Sequence, residues 1–167
     1  NAGKGGSGSG GGSYEFGSKA KVVATAQPNY SFLGWFEAEK NVSTSLSYEF
    51  VVSKATTLEA RFSASKFNVT VNAEAGGTAT GSGSFDFDSN VTVKASTNTG
   101  YTFKGWSDGK TIVSTSAEYS FVLKNTTVLT AQFEANTFDI VVNAGTGGTA
   151  TGSGKYKFAT NATVKAT

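Results

Sequence analysis

Residues 5–13 read G-G-S-G-S-G-G-G-S, the composition of a flexible linker, because glycine and serine tracts bury nothing and stay solvated. That reading changes when the chain is laid against itself. A shift of 71 positions aligns residues 1–64 with 72–135 without a gap, and 27 of those 64 residues are identical. Gly5, Gly6, Gly10 and Gly12 fall on Gly76, Gly77, Gly81 and Gly83, and a second shift brings in Gly147, Gly148, Gly152 and Gly154. Residues 143–167 match residues 72–96 at 16 of 25 positions, with G-G-T-A-T-G-S-G in both. The glycines therefore keep register with the rest of a repeat. The stretch is read as an ordered, extended element of a fold, despite the entropy that glycine loses on ordering.

Around it the apolar pattern has period two, and no window holds helical spacing for more than a turn. Phe67, Val69 and Val71 share a face, as do Phe138, Ile140 and Val142. The pairs Tyr14 and Phe16, Phe85 and Phe87, and Tyr156 and Phe158 close the glycine-rich segment. Val91, Val93 and Ala95 form the next inward row, matching Ala20, Val22 and Ala24, with Lys21, Thr92 and Lys94 outward. Turns are expected at Asp88-Ser89-Asn90, Ser107-Asp108-Gly109-Lys110 and Lys124-Asn125-Thr126. Each repeat should give six or seven short strands around one core. In the central copy Tyr101, Phe103, Tyr119, Phe121, Leu129 and Phe133 are expected to meet there.

The fold class that follows is all-β, mainly antiparallel, in tandem small domains of about 71 residues. Residues 1–64 read as a partial repeat lacking its first strand, 65–135 as a complete repeat, and 136–167 as a partial repeat truncated after its third strand. The seams Ser63-Ala64-Ser65 and Glu134-Ala135-Asn136 are too short to let neighbours separate, so a semi-rigid rod is expected. The partial ends fit a window on a longer array, or chains that complete one another by strand addition. A surplus strand at residues 155–158 would compete with any donated pairing, which favours the window.

Composition narrows the function. With 38% apolar and 13% aromatic residues the chain can build cores, while charged residues reach 16% against a usual level of about 25%. It has no cysteine and no histidine, which removes disulfides, thiol chemistry, the commonest general base and the usual zinc ligands. A net charge of +2 on scattered lysines gives no footprint for nucleic acid or an anionic membrane, and no apolar run approaches the ~20 residues of a membrane-spanning helix. Acidic residues recur in the first two copies at Glu15 and Asp86 and at Glu37 and Asp108, but Lys157 replaces the former pair in the third. They read as solvated surface charge. No lysine is shared by the first two copies, which argues against a recurring isopeptide lock. No catalytic, metal or cofactor site is assigned, and the chain is not expected to be an enzyme.

The tryptophans require the closest weighing, since two matched Trp residues could be two sugar platforms. Strand parity places Trp106 opposite Tyr101 and Phe103, facing out. Gly105 and Gly34, however, stand just before Trp106 and Trp35. A glycine in a strand often marks a bulge, and one extra residue there returns the indole to the core. The core reading is preferred, with an exposed glycan-binding platform at Trp35 and Trp106 as the alternative.

The combination G-Y-x-F-x-G-W at residues 100–106, a later Y-x-F at 119–121 and a closing L-x-A-x-F at 129–133 resembles the divergent B-repeat of the internalin and Listeria–Bacteroides repeat family of bacterial surface proteins. The first copy matches more loosely, with Asn29 in place of the glycine before Tyr30. The resemblance implies a β-grasp-like domain and a non-enzymatic structural segment, a stalk, spacer or filament material of a large extracellular or cell-surface adhesin-like protein. The alternative is a carbohydrate-binding array using Trp35 and Trp106. Expected partners are neighbouring repeats, other copies through strand addition, and a host or matrix glycan or protein. No cofactor, nucleic acid or membrane insertion is expected.

Overall fold

Alternating apolar residues separated by turn formers give a chain of strands: the computed structural model describes residues 1–167 and contains eighteen strands and no helix. The chain divides into two compact units, Asn1–Lys66 with Asp86–Asp88, and Phe67–Phe85 with Ser89–Thr167.

The complete repeat forms two sheets. Glu118–Val122, Asn90–Thr97 and Gly77–Thr80 lie in that order in an antiparallel three-stranded sheet. The other runs Ile112–Ser114, Tyr101–Ser107, Thr127–Ala135, Lys66–Ala73, Gly83–Asp86. Within it Thr127–Ala135 and Lys66–Ala73 are parallel, with Leu129 opposite Val71 and Ala131 opposite Ala73. The repeat therefore has eight strands where six or seven were expected. The difference arises in the glycine-rich segment, which breaks at Gly81 (φ 117°) and contributes one strand to each sheet. Ser82 secures the break by accepting the Val71 N–H at 2.9 Å, and Ser153 repeats this with Val142 at 2.9 Å.

The core between the sheets holds Val69, Val91, Val93, Trp106, Leu123, Leu129 and Ala131, with Phe103, Tyr119, Phe121 and Phe133 packed against it. Tyr101 departs from expectation. It shares parity with Phe103, but it opens its strand and packs against Phe158 at 5.7 Å between ring centroids, outside the core cluster.

The first unit repeats the plan. One sheet orders Gly6–Ser9, Lys19–Ala26 and Ser47–Val51, and the other Lys40–Ser43, Tyr30–Glu37 and Glu59–Ala64, around Val22, Ala24, Trp35 and Ala60. The opening stretch is thus part of the fold: Gly6 to Ser9 pair with Ala26 to Val23. Its glycines give aromatic rings a floor without side chains. A Cβ on Gly6 would overlap the Phe62 ring, and one on Gly77 the Phe133 ring. In the third copy Thr137–Ile140 pairs with Gly154–Lys157, and Ala150–Thr151 with Lys165–Ala166.

Candidate functional site

Trp35 and Trp106 are buried, with 2% and 0% of their surface exposed. The cause is the bulge expected from the sequence. Phe103 pairs with Phe133 and Gly105 with Gln132, so Lys104 is an extra residue, and Trp106 comes round to the face of Phe103 at 5.9 Å between centroids. The register shifts at the same place in the first copy, between Phe32 and Gly34. Trp35 Nε1 donates to the Leu46 carbonyl at 3.3 Å, whereas Trp106 Nε1 is buried without a partner. Neither ring offers a face to a sugar. The platform alternative at Trp35 and Trp106 therefore gives way to the core reading.

The recurring carboxylates are dispersed on the surface. Asp86 pairs with Lys66 at 2.8 Å and Glu37 with Lys54 at 2.6 Å. Asp108 accepts the Thr111 and Lys110 N–H groups at 2.8 and 2.9 Å, and these bonds, that of Thr111 foremost, hold its carboxyl below the usual carboxylate range. No three acidic side chains gather into a group that could hold a metal ion.

The positions that do come together lie at the seams. In the first unit the Ser65 N–H donates to the Asn29 carbonyl at 2.8 Å, and the Ser65 carbonyl accepts the Phe87 N–H at 2.7 Å. The Phe87 ring meets Tyr30 edge to face, 5.8 Å between centroids at 86°. The second unit contains the same arrangement 71 residues on. Asn136 N–H donates to the Gly100 carbonyl at 2.8 Å, Phe158 N–H to the Asn136 carbonyl at 2.7 Å, and Phe158 meets Tyr101 at 5.7 Å and 74°. Each Phe is carried on a tight turn whose next residue has positive φ, 67° at Asp88 and 59° at Ala159. Lys4 adds a contact to the first joint, 3.2 Å from Asp88, and the hydrogen bond to that carboxylate raises the Lys4 ammonium above its ordinary pKa. Sequence reasoning had placed Tyr101 in the core and Phe87 on a strand. The available signal was that Phe16, Phe87 and Phe158 recur in all three copies just ahead of a turn.

These features define a class: an all-β tandem-repeat protein in which each unit carries a Phe–Tyr ring pair and two backbone hydrogen bonds at the same repeat positions. The chain belongs to the divergent InlB B-repeat domain family, a repeat family of bacterial surface proteins, which matches residues 1–66, 67–137 and 138–167. No solved structure matches it.

Proposed function

We propose that the chain is a non-enzymatic structural segment, a stalk, spacer or filament material, of a large extracellular bacterial adhesin-like protein. The observation that carries this reading is the joint, built twice from the same positions with the same two backbone hydrogen bonds and the same aromatic pair. Two backbone bonds order each seam, and the aromatic pair contributes about 0.5–1.5 kcal/mol beyond its buried area. In a tandem array of this kind total stability is roughly a sum of unit and neighbour contributions. The work assigned to such a segment is mechanical.

Tethering both ends of the chain in an optical trap tests this. The expected result is a series of discrete rips, the largest releasing roughly 240 Å of contour, the extended length of one 71-residue repeat. Smooth extension without rips would exclude a load-bearing role.

A further inference from the structure

Tension along a tandem chain enters each repeat through its covalent ends, so the strands at those ends decide how the repeat resists it. In the complete repeat they are Lys66–Ala73 and Thr127–Ala135, the first and last strands of the copy, and they are parallel neighbours inside the five-stranded sheet. Thr127 to Ala131 lie opposite Val69 to Ala73 without a break in register. The ends that take the tension overhang this ladder on opposite sides. Lys66 stands ahead of Val69, where the pairing starts, and Ala135 stands beyond Ala131, where it stops. Pulling the two ends apart therefore slides one strand along the other. Hydrogen bonds of a parallel ladder are evenly spaced between the strands, so sliding loads all of them together.

Other contacts oppose the slide. The ladder continues past Ala73, where the Glu74 N–H donates to the Ala131 carbonyl at 3.0 Å and the Gln132 side-chain amide donates to the Glu74 carboxylate at 3.2 Å. On the far side of Lys66–Ala73 the Val71 N–H is held by the Ser82 hydroxyl, and Gly83–Asp86 flanks the strand. Val69 and Leu129, one from each strand, are each 2% exposed in the core with Val93 and Trp106. Sliding must drag these side chains past close-packed neighbours. The chain from Glu74 to Thr126 is bracketed by the two strands and stays out of the direct line of tension while the ladder holds.

We propose that this parallel ladder is the mechanical clamp of the repeat, the element whose rupture sets the force at which the repeat unfolds. The proposal rests on the structural-segment reading and names the contacts through which such a segment resists tension. The Trp106 bulge and the glycine-rich strands lie in the bracketed chain, so they support the fold at equilibrium and give way only after the ladder parts.

The chain has no cysteine, so handles can be fixed to the whole chain at chosen pairs of introduced thiols. Lys66→Cys with Glu134→Cys pulls the ladder in shear. Lys66→Cys with Asn125→Cys pulls at its adjacent ends and unzips it bond by bond, and all three positions are exposed. At one loading rate the shear pair should rupture at a severalfold higher force than the unzipping pair. Val69→Ala and Val91→Ala then remove the same groups from the same core, one on the clamp strand and one in the other sheet. Rupture under load follows the unfolding barrier rather than equilibrium stability, so only Val69→Ala should lower the shear force markedly. Equal forces in the two geometries would overturn the proposal, as would equal losses from the two valine substitutions. Discrete rips of the end-tethered chain combined with equal shear and unzipping forces would sink the clamp alone, and featureless extension would sink the stalk reading with it.

Discussion

Replacing Trp106 with alanine is expected to destabilise the second unit by about 3–5 kcal/mol, the range for truncating a large buried aromatic side chain. The indole is fully buried among Val69, Val91, Val93 and Leu129, and it stands edge to face against Phe103 at 68°. Its removal opens a cavity between two sheets tied by backbone ladders, which limits how far the walls can collapse. The unpaired Trp106 Nε1 lowers the loss somewhat, since truncation also relieves a buried donor without an acceptor. Urea denaturation followed by circular dichroism checks the value. A loss below about 1 kcal/mol would place the ring outside the core.

The substitution Gly105→Ala, which adds one methyl group, is expected to cost about 3 kcal/mol. Gly105 has φ 148°, a conformation that side-chain-bearing residues rarely adopt. A Cβ there would stand 2.6 Å from Ile112 Cγ2 and 2.7 Å from the Ser114 carbonyl oxygen. Ile112 can turn away, but Ser114 O belongs to the backbone of the paired strand, so the bulge itself must shift. That bulge aims Trp106 inward, and its loss restores the parity that points the indole at water. In a Trp35→Phe background the Trp106 emission reads the second unit alone, and it should move to longer wavelength with a lower unfolding midpoint. An unchanged spectrum and midpoint would show that the bulge does not require glycine.

Much of this was legible in the sequence because the repeat supplies an internal comparison. Gly34 and Gly105 recur before Trp35 and Trp106, so a bulge could be inferred where simple alternation gave the wrong face for the indole. Period two marked Val91, Val93, Phe121 and Leu129 as inward, and they line the core or pack against it. The division into two sheets was not visible. Gly81 looks like its neighbouring glycines in the sequence, and the contact that marks it, the Val71 N–H donating to the Ser82 hydroxyl, is a tertiary one. Tyr101 was misplaced for a related reason. Parity assigns a side chain to a face, but it does not say where the strand runs past the end of the core, and Tyr101 stands at that end against Phe158. Phe87 and Phe158 leave strand geometry at a turn with positive φ on Asp88 and Ala159; Asp88 belongs to the expected turn Asp88-Ser89-Asn90, whereas alanine at 159 gives little warning of it.

The glycine-rich stretches are folded strands that floor the repeats. Residue-resolved amide hydrogen exchange tests this most directly. The account predicts that amides bonded within the ladders of Gly6–Ser9 and Gly77–Thr80 are protected together with those of their partners, Lys19–Ala26 and Asn90–Thr97. Exchange of both glycine-rich segments at the rate of an unstructured chain, with the partner strands still protected, would contradict it.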